Sequence, residues 1–238
     1  MTDKRAPIAV ALDAPNLGVL VSWAQAVAPV VSTLKVGLEV FCRDGALAVT
    51  SARAAASSVG ISEIDIFLDL KLHDIPATVA GAARAVAHLE PEILTVHAAG
   101  GPAMVEAAAL ALPYTKIAAV TILTSIDEQA LVAIGFTGPS IAAAVRLALL
   151  ATNAGARAVV CSPHEVGAIR AVVAPDIQLI TPGVRPAGSS VDDQKRVATP
   201  QQAIADGTDL LVIGRPITGA ADIAQAARDI AFSIVDVK

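Results

Sequence analysis

The chain has few aromatic and few charged residues. Aromatic side chains make up 3% and charged side chains 16% of its 238 residues, whereas 55% of the residues are hydrophobic. The hydrophobic residues are mostly alanine, valine, isoleucine and leucine, a composition that favours buried parallel strands covered by closely packed helices over an all-β sandwich. A chain of this length can bury a large core. We therefore expect one α/β domain over residues 1–238.

Cysteine and positive charge are also scarce. Cys42 and Cys161 are far apart and show neither a CxxC pattern nor a Cys/His ligand spacing, so the sequence indicates no disulfide framework and no zinc site. We expect both to be buried, inert thiols. Lysine and arginine number 17 against 22 aspartate and glutamate, a formal net charge of −5. Binding to nucleic acid needs a clustered basic surface, so we expect no nucleic-acid partner.

No segment is predicted to cross a membrane. The uncharged stretch 14–34 is long enough to do so, but Pro15, Asn16, Gln25 and Pro29 interrupt it. We interpret it as a loop, a buried helix and the start of a strand. The first residues lack the apolar segment and the cleavage site of a signal peptide. These patterns predict a cytoplasmic protein without membrane association.

Eight short apolar runs recur along the chain at spacings typical of βα units rather than of hairpins. Alanine-rich segments with helical periodicity separate them. In one such segment, 141–153, Arg146 is predicted to face solvent and Val145, Leu149 and Leu150 to face inward. Eight βα units predict a single-domain TIM (β/α)8 barrel. The predicted strands are 8–12, 33–37, 64–70, 93–97, 117–123, 158–161, 178–181 and 210–213.

Polar residues recur where the predicted strands end. The carboxyl ends of barrel strands carry the chemistry in this fold, and ionised groups are costly to bury unpaired. The pattern therefore predicts a compensated polar cluster at one rim, and a purely structural salt-bridge network is the alternative. The residues are Asp13 after strand one, Lys35 in strand two, Asp69 and Lys71 in strand three, His97 in strand four, Thr124 and Ser125 after strand five, and Arg215 after strand eight.

The densest group of charges lies between Asp69 and Pro76, in the sequence DLKLHDIP. A strand period of two places Asp69 and Lys71 on one face, about 7 Å apart along the strand, with Asp74 on the next turn. His73 is out of phase and is predicted to point away, and His97 is interpreted as a structural histidine. The segment 186–199 is predicted to form a long polar loop over the barrel mouth.

These residues resemble the orotidine 5′-phosphate decarboxylase family. Its signature is similar to 69–78, DLKLHDIPAT. The shorter DxKxxD pattern also occurs in keto-gulonate phosphate decarboxylases and hexulose phosphate synthases, which use a metal ion, whereas Ile75-Pro76-Ala77-Thr78 and a loop with Gln194 favour the orotidylate enzyme. Further matching motifs in the family's order are Ala11-Leu12-Asp13, Leu34-Lys35-Val36-Gly37, Leu123-Thr124-Ser125, 181–186 (TPGVRP), Asp193-Gln194 and 212–216 (VIGRP).

The resemblance implies a reaction and the residues that perform it. Orotidine 5′-monophosphate would lose CO2 to give UMP in pyrimidine biosynthesis, without a metal or an organic cofactor. Lys71 would protonate C6 of the pyrimidine. Lys35, Asp69 and Asp74 would complete an array of alternating charges, with Asp74 supplied by the neighbouring subunit of a homodimer.

The resemblance also implies the substrate contacts. They are Asp13, Lys35 and Asp69 near the ribose and reacting carboxylate, Ile75 and Thr78 from the other chain, Thr124 or Ser125 at the pyrimidine edge, and Arg185, Pro186, Gln194, Gly214 and Arg215 around the phosphate.

Two alternative functions stay open. One is a metal-dependent sugar-phosphate lyase or decarboxylase of the same superfamily, which chelation would inactivate. The other is a catalytically silent nucleotide-binding barrel, against which the intact Asp69 and Lys71 argue.

Overall fold

Eight parallel strands close into a barrel in the computed structural model, which describes residues 5–185 and 198–234. Each strand pairs with the next in the chain, and the eighth pairs with the first. The predicted TIM barrel is thus confirmed, and each predicted strand overlaps an observed one. The strands are β1 Ala6–Ala11, β2 Val31–Gly37, β3 Asp65–Leu72, β4 Ile93–His97, β5 Lys116–Val120, β6 Ala158–Val160, β7 Gln178–Thr181 and β8 Leu210–Ile213.

Helices cover the outside of the barrel. Between strands the chain forms at least one helix, as a βα repeat requires. Three short 3₁₀ helices, Ala87–Leu89, Ala98–Gly100 and Pro163–Glu165, complete the connections. The α-helices are α1 Leu17–Val27, α2 Leu38–Asp44, α3 Ala46–Ser58, α4 Pro76–Val86, α5 Pro102–Ala111, α6 Glu128–Ala133, α7 Ser140–Asn153, α8 Val166–Arg170, α9 Pro200–Ala205, α10 Arg215–Thr218 and α11 Ile223–Ser233.

Strand alternation divides the core into two layers. One layer fills the barrel interior, where the bulk of Phe67 is accommodated by small residues such as Ala9, Ala118 and Ala158. The other lies between the strands and the helices and includes Leu94, which is fully buried. The barrel interior is therefore filled by side chains.

The fifth strand ends earlier than predicted, at Val120 instead of residue 123. The amide of the next residue, Thr121, still donates to the Val160 carbonyl of β6 at 3.1 Å. The chain then forms a turn, which a hydrogen bond from the Ile126 amide to the Leu123 carbonyl closes at 3.0 Å. The apolar run continues because Ile122 and Leu123 face the barrel mouth. Hydrophobicity alone therefore overestimates the strand.

The buried face of α7 differs from the prediction. Arg146 is exposed as expected, but Val145, Leu149 and Leu150 are only partly buried. The buried positions are Ala143, Ala144, Leu147, Ala148 and Ala151. The prediction assumed that the largest aliphatic side chains would be the most buried. Instead, α7 approaches its neighbours mainly through small alanines, and Val145, Leu149 and Leu150 lie at the margin of the contact.

One cysteine prediction is wrong. Cys161 is buried, but Cys42 is exposed. Cys42 lies on α2, a short helix that buries only Val40, so most of its side chains face solvent. The uncharged stretch 14–34 is divided between α1 and β2, and no helix within 5–185 or 198–234 has the length and apolar character to cross a membrane.

The layered core makes a prediction about stability. Replacing Leu94 by alanine should lower the free energy of unfolding by about 2–5 kcal/mol, because the substitution leaves a cavity between β4 and the helices. Leu47→Ala on α3, where the side chain is 56% exposed, is the matched control and should cost less than about 1 kcal/mol. Urea denaturation followed by circular dichroism measures both. Equal losses in the two variants would show that the core has been assigned wrongly.

Candidate active site

Four charged side chains meet where β1, β2 and β3 end at one rim of the barrel. Lys35 Nζ lies 3.6 Å from Asp13 Oδ2 and 3.3 Å from Asp69 Oδ2. Lys71 Nζ lies 2.8 Å from Asp69 Oδ1. Acidic and basic groups therefore alternate across the rim in the order Asp13, Lys35, Asp69, Lys71. This is the compensated cluster that the strand ends predict.

Gly37 creates the room for this cluster. It pairs with Asp69 in the register of β2 and β3, at a point where a side chain would collide with the charges. A Cβ atom at position 37 would lie 2.4 Å from Asp13 Oδ1 and 2.9 Å from Lys35 Nζ. A side chain at this position would thus displace Asp13 or Lys35 from the positions in which Lys35 meets both carboxylates.

Asp69 is buried and ionised. It is 8% exposed, and burial by itself raises the pKa of the carboxyl group. The charges of Lys35 and Lys71, with hydrogen bonds from Lys71 and Thr95, outweigh that effect and hold the pKa of Asp69 below its usual value. The carboxylate therefore carries its negative charge near neutral pH.

The backbone at Lys71 departs from a regular strand. Leu68 pairs with Leu94 and Leu72 with Val96, so three residues of β3 lie opposite the single residue Thr95 of β4. Within this bulge Lys71 has φ +50°, in the left-handed region that residues other than glycine rarely adopt. Asp69 and Lys71 do share a face, as predicted, but the bulge rather than a period of two brings their charged atoms together.

Thr95 is a site residue that the sequence analysis missed. Its hydroxyl accepts a hydrogen bond from the Lys71 amide at 2.8 Å and donates one to Asp69 Oδ1 at 3.0 Å. The one signal available in the sequence is a hydroxyl residue in the otherwise apolar run Ile93-Leu94-Thr95-Val96. Threonine is common in strands, so that signal is weak.

Two cavities open at this rim, and Asp69 lines both. The first, of about 260 Å³, has apolar walls that include Phe67, Val120 and Val160, with Lys71 on one side. Thr124 and Ser125, both predicted site residues, also line it. The second, of about 580 Å³, brings together the charged residues Asp13, Lys35, Arg185 and Arg215, and Gly214 also lines it. It also includes Trp23, the only tryptophan of the chain, which the sequence analysis did not single out.

The ends of the predicted mouth loop lie close together. Val184 forms a parallel β-bridge with Ala198, and the Arg185 amide donates to the Ala198 carbonyl at 3.0 Å. Pro186 and Gln194, both predicted to contact the substrate, lie outside the described residues.

Asp74, Ile75 and Thr78 are not part of the cluster within one chain. All three are exposed, and Ile75 is 65% exposed at the start of α4. The Asp74 carboxylate accepts a hydrogen bond from the Ile75 amide at 2.6 Å. Within 5–185 and 198–234 it forms no ion pair.

His97, next to the cluster, is held neutral. Burial, the neighbouring His73 and the charge of Lys71 lower the pKa of its imidazole, and Asp69 only partly opposes them. The exposed ring of His73 lies against His97 with centroids 5.4 Å apart. Across the described parts of the chain, no group of three or more histidine, cysteine, aspartate or glutamate residues is arranged to hold a metal ion.

Comparison with known proteins relates the chain to one family. A family model described as orotidine 5′-phosphate decarboxylase / HUMPS family matches residues 6–230. Proteins named orotidine 5′-phosphate decarboxylase are similar over nearly their full length: that of Thermobifida fusca is 62% identical and covers 96% of both chains, and that of Frankia casuarinae is 54% identical over 97% of this chain and 88% of its own. The crystal structure of orotidine 5′-phosphate decarboxylase from Lactobacillus acidophilus superposes with a TM-score of 0.81 at 34% identity, covering 97% of this chain and 99% of its own.

The crowding around Gly37 makes a prediction. Gly37→Ala should lower the free energy of unfolding by about 1–3 kcal/mol, since the added methyl group displaces Asp13 or Lys35. Gly167→Ala on α8 is the control, because a Cβ there meets no atom within 4 Å and alanine favours a helix. It should be neutral or stabilising in the same urea titration. A Gly37→Ala variant as stable as the Gly167→Ala variant would contradict the close packing described for the rim.

Proposed function

The chain belongs to the orotidine 5′-phosphate decarboxylase / HUMPS family, and from this membership we propose that it converts orotidine 5′-monophosphate to UMP and CO2 in de novo pyrimidine biosynthesis. The observation that carries the proposal is the junction of the two cavities at Asp69. One cavity has apolar walls and ends at Lys71, and the other contains Arg185 and Arg215. A nucleotide, with a flat base at one end and a phosphate at the other, matches this division.

The difficult step is the loss of CO2 from C6 of the pyrimidine. When the bond between C6 and the carboxyl carbon breaks, its electron pair stays on C6 in the plane of the ring, where the π system cannot delocalise it. Fixed positive charge and a nearby proton must then stabilise the carbanion. In the proposal the Lys71 ammonium provides the charge and transfers its proton to C6 as a general acid. Water returns a proton to the amine.

The other charges hold Lys71 in place. Asp69 bonds Lys71 through Oδ1 and Lys35 through Oδ2, so one carboxylate orients two ammonium groups. The substrate carboxylate would enter beside Asp69, and repulsion between the two negative groups favours release of CO2. The role of Asp69 that the geometry supports best is the positioning of Lys71.

Binding of the two ends of the substrate follows from the cavity linings. Thr124 and Ser125 offer hydroxyl groups to the pyrimidine edge in the apolar cavity. In the other cavity Arg185 and Arg215 offer planar donors to the phosphate. A Cβ at Gly214 would meet only Ala11 Cβ among the described residues, at an ordinary 3.5 Å, so there is space for one. In the proposal glycine is needed because the phosphate approaches the backbone.

The ribose lies between the two ends, beside Asp13 and Lys35. Pro186 and Gln194 are proposed to close over the phosphate. Phosphate contacts remote from C6 can be used to order the loop and the charged cluster, so their loss should lower kcat/KM by more than a simple binding defect would.

We propose that the working unit is a homodimer. Asp74 would complete the neighbouring site, with Ile75 and Thr78 beside it. The exposure of this segment supports the proposal. Among residues 5–185 and 198–234 the Asp74 carboxylate binds only the neighbouring Ile75 amide, and Ile75 presents a large apolar side chain to solvent.

We also propose that the reaction uses neither a metal ion nor an organic cofactor. The metal-dependent alternative requires carboxylates that are available to a cation. Here the carboxylate of Asp69 is engaged by lysine ammonium groups on both oxygens. Lysine therefore supplies the positive charge that a metal would otherwise supply.

The purified chain should convert orotidine 5′-monophosphate to UMP in the presence of EDTA, followed by the ultraviolet change of the pyrimidine. The Lys71→Ala variant should still bind UMP but lose turnover by a factor of roughly 10²–10⁴ or more, since it lacks the proton donor. Binding of UMP by calorimetry controls for folding.

Three results would overturn this reading. A folded wild-type chain without turnover rejects the proposed reaction, and turnover abolished by EDTA favours the metal-dependent alternative. A Lys71→Ala variant within tenfold of wild type shows that another group supplies the proton.

The dimer proposal has its own test. Asp69→Ala and Asp74→Ala chains should each be inactive alone, but mixing them should create heterodimers with one site that carries neither substitution. With free exchange of equal amounts, half of the dimers are mixed, so activity should return to about a quarter of the wild-type value. Subunit exchange is verified separately with two differently tagged chains. Exchange without recovery of activity would place Asp74 in its own subunit's site.

A further inference from the structure

We infer that Thr95 is a positioning residue for Lys71, acting through a buried hydroxyl that joins the main chain of Lys71 to the carboxylate of Asp69. The inference rests on the proposed function, in which Lys71 is the proton donor. Thr95 lines neither cavity, so it is assigned no contact with the substrate.

The hydroxyl of Thr95 satisfies two partners at once. Thr95 is fully buried on β4. Its Oγ1 accepts from the Lys71 amide and donates to Asp69 Oδ1, which uses its single proton and one of its lone pairs. The same Oδ1 atom accepts from Lys71 Nζ. The hydrogen bonds therefore form a ring that begins and ends on Lys71.

This ring explains how a strained backbone persists at Lys71. In a regular parallel ladder the amides of β3 pair with the carbonyl groups of a neighbouring strand. In the bulge the Lys71 amide pairs with a side-chain hydroxyl instead, and the residue adopts φ +50°. A left-handed conformation in a residue with a long side chain persists only where the surroundings enforce it. Thr95 is the contact from β4 that does so.

The consequence for the chemistry is the direction of the Lys71 side chain. The left-handed conformation sets where Cβ points, and the shared Oδ1 atom of Asp69 sets where Nζ stops. Without the hydroxyl, the Lys71 amide and Asp69 each lose a buried hydrogen bond, and the bulge can relax toward an ordinary strand. The ammonium group would then lie away from the atom it must protonate, while the walls that bind the nucleotide stay in place.

The test compares hydroxyl loss at two buried threonines. Thr95→Val removes the hydroxyl and keeps the shape of the side chain. The matched control is Thr115→Val, because Thr115 is also buried and its hydroxyl donates to the Pro91 carbonyl at 2.8 Å, at the start of β5 and away from the rim. Thr95→Ser retains the hydroxyl and lacks only the methyl group.

A positioning role predicts a specific split of the kinetic constants. Thr95→Val should lower kcat by about 10- to 100-fold, the range expected for a lost hydrogen bond to a charged group, while its affinity for UMP stays within about threefold of wild type. Thr95→Ser and Thr115→Val should keep kcat within about threefold. A merely structural threonine would give similar kinetics for the Thr95→Val and Thr115→Val variants.

Several results would overturn the inference. These are a kcat loss below tenfold in Thr95→Val, a loss confined to UMP affinity, or an equal loss in Thr95→Ser. If circular dichroism shows that Thr95→Val does not fold, the same comparison is made with Thr95→Ala. A wild-type chain without turnover rejects the proposed function, whereas an active wild type with an unaffected Thr95 variant rejects only the role of Thr95.

Discussion

The buried carboxylate of Asp69 is the group on which the rim of this barrel depends. A carboxylate removed from water is unstable unless positive charge and hydrogen bonds replace its hydration. Here Lys35 on β2, Lys71 on β3 and Thr95 on β4 supply them. Three neighbouring strands must therefore end in a defined register, and a side chain at position 37 would displace Asp13 or Lys35.

The same constraint joins folding to chemistry. In a regular strand the charged atoms of Lys71 and Asp69 would lie farther apart along β3. The strand bulges instead, and Lys71 takes a left-handed conformation that is costly by itself. Strain of this kind is concentrated at functional sites and is maintained by the structure around them. In the proposed reaction, strain, burial and charge all serve to place one ammonium group at the boundary between an apolar cavity and a polar one.

The architecture and the location of the rim could be predicted from the sequence, because apolar runs mark the strands and Lys35, Asp69 and Lys71 interrupt them near one end. The finer features could not. A period of two cannot reveal the bulge at Lys71, and Thr95 resembles an ordinary strand residue because its partners come from β3. The prediction of the buried face of α7 was wrong because it relied on side-chain size. It placed the large Leu149 in the interior, whereas the helix approaches its neighbours closely and buries the small Ala148. The exposure of Cys42 depends on a helix whose only buried residue is Val40.

Two ammonium groups keep the buried Asp69 ionised, and the rest of the site depends on this charge. The most direct test is a titration of the Asp69 carboxyl carbon followed by ¹³C NMR. The Asp69→Asn variant identifies its resonance. With both ammonium groups in place, the pKa of Asp69 should lie below its usual value of 3.8, so that more than half of the carboxyl groups are still ionised when the pH has fallen to that value. The pKa should be higher in Lys35→Met, where one of the two charges is removed while the desolvation remains. An Asp69 pKa at or above the usual value in the wild-type chain, or one unchanged by Lys35→Met, would contradict the account.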